Sequence, residues 1–469
     1  MDAGLFECSE KSLNTVSARK MPSTLEHTPA FDEAIALMES GGLFTFITGR
    51  AGTGKSTLLK HFRETTKLVA PVLAPTGVAA LNVEGETIHR FFRFAPGINL
   101  KDARNKGLGI QKPEVYVNAD LLIIDEISMV RADLMDCMDQ FLRAVRQNKT
   151  PFGGLRIVVI GDLFQLPPVV TADERTAFSE LYHSPYFFAS RVMQELMYTG
   201  DVTYIELEKV YRQTEPTFIT LLNAVRNRTI TQNELKMLNT RLHDSPPKDA
   251  IVLTAVNAEA NALNDLRLSL LPSDVQVFQG ETIGEFPNRE TPAEPQLNLK
   301  RGARVMCVAN DTAGRYVNGS LGWVKDFTLG DDDSEPTVTI DLDEGKQVII
   351  TPHIWNIYRS AYDQETRTLQ QERLGSYSQI PLKLAWAVTI HKSQGKTFDQ
   401  VTIDLGRGAF ASGQTYVALS RCRSFEGLHL SKPVILADVL VDAEVVKYVA
   451  ALKSGFQEQL VYEGVDGWS

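Results

Sequence analysis

The stretch LFTFITGRAGTGKSTLLKHF, Leu43 to Phe62, limits what this chain can fold into more than any other. A short apolar run rich in β-formers ends in Gly49. A loop of the pattern G-x-x-x-x-G-K-[ST] follows, and then residues with helical spacing. Strand, glycine-rich loop and helix in that order form a phosphate cradle. The glycines let backbone N–H groups close around phosphate, and the helix N-terminus adds its dipole. Gly52, Thr53, Gly54 and Thr57 complete the expected cradle. Lys55 is expected to reach the β- and γ-phosphates of a bound nucleotide, and Ser56 to hold Mg²⁺.

The cradle needs a parallel sheet behind it, and the sequence supplies the strands. LVAPVLAPTG, ADLLIIDE and LRIVVIGD are apolar runs that end in small or charged residues. Such runs fit strands buried on both faces, with ligands at their carboxyl ends. The expected class is α/β, with two doubly wound parallel-sheet lobes. At roughly 150 residues per domain, the 469 residues suggest about three compact units. We expect a polar leader at 1–27 and a first lobe at 28–198, interrupted at about 93–115. A second lobe is expected at 199–297 and 380–435, and a helical segment at 436–469. Between 298 and 379 the style changes to short β-rich stretches separated by Gly, Asn and Asp. The hairpin-type pair Asn318-Gly319 is among them, so this part reads as an inserted all-β unit.

Composition removes some alternatives. Hydrophobic content is 43% and charged content 23%, ordinary for a chain with a buried core. Cys8, Cys137, Cys307 and Cys422 form no C-x-x-C pair, which argues against a zinc site or a disulfide framework. No apolar run is long enough to span a bilayer, and Asp2, Glu7 and Glu10 do not suit a targeting peptide. A reducing cytoplasmic setting is expected. The net charge of −10 makes a general coat for nucleic acid improbable, so any such binding must come from a local basic site.

Further strand ends carry candidate chemistry. In LLIIDE, Asp125 would complete the Mg²⁺ site and Glu126 would orient or deprotonate an attacking water. Gln165, just past VVIGD, is placed to sense a γ-phosphate. Arg212 in VYRQ and Arg421 in ALSRCRS are candidate arginine fingers, with Arg423 as a rival to Arg421.

The segment TIHKSQGKTFD also contains Gly-Lys-Thr, but Ile390 stands where a second phosphate loop would need its first glycine. His391 and Lys392 instead suit hydrogen bonds and positive charge to a nucleic-acid backbone. In APTGVAALNVEGETIHRFF, Thr76 and Gly77 form a loop able to bind phosphate. His89 and Phe92 are either base contacts or, for the Phe91-Phe92 pair, core.

Taken in order, GRAGTGKST, APTGVAA…TIHRFF, LLIIDEISMV, GDLFQLPPV, LEKVYRQ, AWAVTIHKSQGKTFD and YVALSRCRSFEGL resemble the motif set of superfamily-one helicases. PFGGLR before IVVIGD, and QIPLKLAWAVTIHKSQG, resemble the PIF-type (petite integration frequency) 5′-to-3′ DNA helicases. The RecD-type relatives are the next nearest. The resemblance covers about residues 30–435. It implies an ATPase set of Lys55, Ser56, Asp125, Glu126, Gln165, Arg212 and Arg421, with Gly395 and Lys396 lining the cleft. It implies a Src-homology-three-like barrel at 298–379, a strand-separating wedge at 93–115, and single-stranded, tailed or forked DNA as partner. It also implies a minimal bacterial-type core acting as a monomer. The chain departs from the pattern in two places. No glutamine precedes the phosphate loop to read adenine, and Arg156 stands where Gln is common. A nucleotide-driven binding switch and a small-molecule P-loop kinase or GTPase are the competing classes. The second of these leaves the second lobe unexplained.

Overall fold

Six short strands form one parallel sheet in the order β3-β2-β4-β5-β1-β6. They are β1 (Phe44–Gly49), β2 (Val72–Ala74), β3 (Glu86–Thr87), β4 (Leu121–Ile124), β5 (Arg156–Gly161) and β6 (Val202–Leu207). These come from a computed structural model, which describes residues 28–455 except 243–246, 248–249, 288–290, 331–334 and 367. The expected leader at 1–27, Cys8 and the residues after 455 lie outside the described residues.

The period of two along each strand sorts the side chains into two cores. Phe44, Phe46, Leu122, Ile124, Ile157 and Val159 face one side, with Met135, Met138 and Phe141 of helix Ala132–Arg146. Ile47, Leu121, Ile123, Val158 and Ile160 face the other, with Phe31, Met38, Leu58 and Phe62 of helices Pro29–Ser40 and Lys55–Thr65. Arg156 crosses the edge of this second layer. Its guanidinium donates to the carbonyls of Leu37, Met38 and Glu39 at 2.8–3.2 Å. A cation there satisfies the open carbonyls at the helix C-terminus, which gives the departure at Arg156 a structural reason.

β6 corrects the expected start of the second lobe at 199. It pairs in parallel with β1 from Phe44↔Val202 to Gly49↔Leu207, and so closes the first sheet. An apolar run shows that a strand exists and not which sheet it joins.

The second sheet starts with β7 (Ile251–Thr254). The chain then leaves it for antiparallel structure. β8 (Gln276–Gln279) pairs with β10 (Gln296–Leu299). β11 (Arg304–Cys307), β12 (Leu321–Thr328), β13 (Thr337–Leu342), β14 (Gln347–Ile350) and β17 (Leu382–Leu384) make a five-stranded sheet. β9 (Glu281–Gly284) joins the long hairpin of β15 (His353–Asp363) and β16 (Thr368–Gln379). Antiparallel pairing therefore begins at Gln276, ahead of the expected 298, and the residues of the insertion belong to more than one sheet. The parallel sheet resumes with β18 (Ala387–Thr389), β19 (Val401–Asp404) and β20 (Leu428–Leu430), in the order β18-β7-β19-β20.

Two elements cross back to the first lobe. On the hairpin, Ser360 N–H donates to Glu86 Oε1 at 2.6 Å, and Tyr362 and Leu369 pack against the first core. Near the chain's end, helix Ala443–Ser454 buries Val445, Tyr448 and Leu452 in that core. Tyr448 stacks on Phe188 with ring centroids 4.2 Å apart, and Lys453 pairs with Glu206. Within 93–115, helix Leu100–Gly109 is capped by Asn99 and buries Ala103 in the same core. Among the described residues no helix is long and apolar enough to cross a membrane.

Candidate functional site

The loop after β1 turns sharply because Gly52 and Gly54 take φ of 82° and 86°, a region that penalises any side chain. Gly52 is needed twice over, since a Cβ there would lie 2.4 Å from the Arg212 Cβ. The helix starting at Lys55 therefore meets the loop directly. Its first-turn N–H groups have no partner within the helix and can receive an anion. Ser56 and Thr57 are exposed in that turn. Lys55 Nζ donates to the carbonyls of Gly49 and Arg50 at 2.6 and 3.0 Å. Burial lowers its pKa, while Asp162, Glu126 and Asp125 oppose that shift.

Asp125 and Glu126 follow β4, two strands from β1 in the same sheet. Burial raises both carboxyls above their ordinary values. The charge of Glu126 adds to the effect on Asp125, whereas Lys55 and Arg421 oppose it on Glu126. Glu126 also holds φ 52°, a left-handed conformation unusual for a residue with a side chain. Such strain clusters at functional sites.

The other half of the cluster comes from beyond the first sheet. Arg212 Nη1 donates to Ser420 O at 3.2 Å. Arg421 is 1% exposed and donates to the carbonyls of Val417, Ser393 and Lys396. Burial and the neighbouring Arg212 lower it to about 9. Arg423 is instead exposed and paired with Asp399, which separates it from its rival. Gln165 is buried, and its Nε2 lies 3.4 Å from Asp162 Oδ2. The structure thus brings Lys55, Asp125, Glu126, Gln165, Arg212 and Arg421 to one junction between the lobes.

The sequence reading did not single out four residues there. Asp162 pairs with Arg226 of helix Pro216–Arg226 at 2.9 Å. Tyr416 bonds both Asp162 and the loop N–H of Ala51. Gln213 donates to Ser420 O and Cys422 O. Asp162 follows an apolar run just as Asp125 does, so that signal was present. Tyr416 opens the segment YVALSRCRSFEGL, where only Arg421 and Arg423 were weighed, and nothing in the sequence marks Arg226.

Asp125 and Ser56 also fit a magnesium ion. Among the described residues no group of three or more His, Cys, Asp or Glu is placed to hold a metal by itself. Magnesium suits such a sparse set, because it typically takes one or two protein oxygens and completes its shell with phosphate and water. The buried charge of Asp125 gains a partner in such a cation.

The candidate nucleic-acid residues divide. Thr76 Oγ1 caps helix Gly77–Asn82 by accepting from Ala79 N–H, and both Thr76 and Gly77 stay partly open. Lys392 is exposed, and His391 is half-buried with its pKa lowered by burial, so it offers hydrogen bonds rather than charge. His89 is also partly open. Phe92 overturns its base-contact reading. It is 0% exposed, stacked on Phe94 and packed edge-on to Phe141, and is core. Gly395 is exposed. The Lys396 side chain turns to Asn318 Oδ1, so only its carbonyl, bonded to Arg421, faces the cleft as expected. Lys383 joins this region unannounced by the sequence. Burial, with the charges of Lys396 and Lys392, lowers it to about 7.

Comparison with known proteins agrees with this geometry. The family model described as PIF1-like helicase matches residues 24–236. The rat protein named ATP-dependent DNA helicase PIF1 is 36% identical over 94% of this chain, which spans 66% of that protein's length. A crystal structure of Bacteroides sp Pif1 in complex with ADP-AlF4 is 33% identical. It superposes with a TM-score of 0.81 and covers 92% of this chain and 99% of its own. Bacteroides Pif1 in complex with ADP-AlF3 and single-stranded DNA is 34% identical, with a TM-score of 0.66 and coverage of 92% and 99%. By its matched motifs and by a relative covered almost end to end, the chain belongs to the PIF1-like helicase family.

Proposed function

We propose that this chain is an ATP-dependent DNA helicase that moves 5′ to 3′ along single-stranded DNA and opens tailed or forked duplexes. One observation carries the reading: the charge cluster at the phosphate loop is assembled from both lobes, with Lys55, Asp125 and Glu126 on one side and Arg421 on the other. Such a site is complete only when the lobes are together, so nucleotide contacts and lobe position are linked.

In this mechanism the β- and γ-phosphates take Lys55 from the carbonyls of Gly49 and Arg50. Residues Gly52–Thr57 cradle the phosphates with backbone N–H groups. Glu126 orients the attacking water, Gln165 senses the γ-phosphate, and Arg212 and Arg421 stabilise charge in the transition state. Ser56 and Asp125 would hold Mg²⁺, which supplies charge neutralisation on the phosphates. Single-stranded DNA would cross Thr76–Gly77 and His391–Lys392, with Lys383 and Lys396 nearby. The five-stranded sheet β14-β13-β12-β11-β17 is read as the Src-homology-three-like barrel, and 93–115 as the wedge. The working unit is read as a monomer. The Bacteroides relative solved with ADP-AlF3 and single-stranded DNA supports nucleotide and DNA as ligands.

The test is unwinding of duplexes carrying either a 5′ or a 3′ single-stranded tail, with ATP and Mg²⁺. Opening of the 5′-tailed substrate alone is the expected result. Opening of the 3′-tailed substrate alone would overturn the polarity. ATP hydrolysis on DNA without opening of either would replace the motor by a switch.

A further inference from the structure

Tyr416 lies in the short helix Gln414–Leu419 of the second lobe, yet its hydroxyl is committed to the first. It accepts from the Ala51 N–H of the phosphate loop at 2.9 Å and donates to Asp162 Oδ2 at 3.3 Å. A phenol has one proton to give, so these two bonds fix the direction of both. Asp162 is the hub. Its Oδ1 takes Arg226 Nη2 at 2.9 Å, and its Oδ2 is shared by Tyr416 and, at 3.4 Å, by Gln165 Nε2. Arg226 also lies over the Phe164 ring at 4.1 Å. Tyr416 and Asp162 are 3% and 1% exposed, so bulk water does not compete for these bonds.

The backbone shows the same close approach. Gly413 precedes the helix, and a Cβ there would come within 2.4 Å of the carbonyl oxygens of both Phe164 and Gln165. The start of this helix is therefore packed closely against the Phe164–Gln165 backbone. Any shift away stretches the Tyr416 bonds.

We propose that Tyr416 is a positioning residue that carries the placement of the second lobe into the phosphate loop, through Ala51 and Asp162. This rests on the ATPase reading given above. Arg421 lies five residues along from Tyr416, just past the helix, and its Nε donates back to Val417 O, so one segment carries both the hydroxyl on the loop and the arginine opposite it. The hydroxyl touches no reacting atom; it sets the alignment in which the others react.

Tyr416→Phe isolates the hydroxyl, because the ring keeps its place in the second core. DNA-stimulated ATP turnover, equilibrium binding of a fluorescent ATP analogue, and Tm are measured on the full chain. A misplacement of a fraction of an ångström predicts a fall in kcat of about tenfold or more, with analogue affinity and Tm near wild type. In an Asp162→Asn background the Tyr416→Phe effect should shrink, because the two share one bond. Wild-type kcat in Tyr416→Phe overturns the proposal. So does a loss of kcat matched by parallel losses of affinity and Tm, which marks a merely structural role. Absence of turnover in the wild-type chain overturns the ATPase reading itself, and this proposal with it.

Discussion

Arg226 and Asp162 join the two lobes through a buried ion pair, Nη2 to Oδ1 at 2.9 Å, with the side chains 5% and 0% exposed. Burial alone would raise the Asp162 pKa, but Arg226 and Lys55 outweigh it and hold the carboxyl below its ordinary value. Its contribution to stability is therefore complete above about pH 4 and lost as pH falls through the folded-state value. Arg226→Met leaves the carboxylate buried without its main partner. Loss of one partner in such a pair costs about 3–5 kcal/mol. Denaturant titration of Arg226→Met at neutral pH should show a loss of that order. An unchanged midpoint would place the stability of the junction elsewhere.

Lys55→Ala is expected to abolish ATP hydrolysis, because the phosphates lose the one lysine in the loop that faces them. The fold should survive, since Arg226 remains as the ion-pair partner of the buried Asp162 carboxylate. Near-wild-type DNA-stimulated turnover in this variant would remove the loop from the chemistry.

The lysine cluster gives a pH signature. Lys383 is drawn down to about 7, so it is partly neutral near physiological pH in the free protein. On the proposed DNA path a phosphate beside it would favour the charged form, so binding would take up a proton. Affinity for single-stranded DNA should fall as pH rises from about 7 to 9. Lys383→Ala should flatten that dependence. Lys392→Ala should lower the salt slope by about 0.7, one phosphate's worth on a single strand. Fluorescence anisotropy across pH and salt reads both. A slope unchanged in Lys392→Ala would remove that residue from the backbone contact.

Phe92→Ala is expected to act on folding. Emptying so closely packed an aromatic position costs about 3–5 kcal/mol, visible as a lower denaturation midpoint. DNA affinity of the folded fraction should stay close to wild type. A selective loss of DNA binding at unchanged stability would return Phe92 to the strand-contact role.

The position of Asp125 and Glu126 at a strand end was legible from sequence because it depends on a short pattern. A buried apolar run that ends in charge places Asp125 and Glu126 without knowledge of the rest. Phe92 was not legible, because an aromatic side chain suits a core and a base equally well and only packing decides. β6 was not legible as part of the first sheet, because pairing with β1 joins residues far apart in the chain. The contact of Ser360 with Glu86 spans 274 positions and carries no local mark at either end. Tyr416 shows the same limit: its role lies in two bonds to another lobe, at Ala51 and Asp162.

The helix Ala443–Ser454 changes how the second lobe is attached. The chain leaves the first lobe after β6 and re-enters it at that helix, so everything between is held by two covalent crossings. A body hung from one point can swivel in any direction. A body hung from two keeps mainly rotation about the line between them, as a door keeps its hinges. Any movement of the second lobe against the first is thus restricted by connectivity before any side chain contributes. Cutting the second crossing, between Asp438 and Ala443, would free the lobe to wander while leaving every residue of the nucleotide cluster in the molecule.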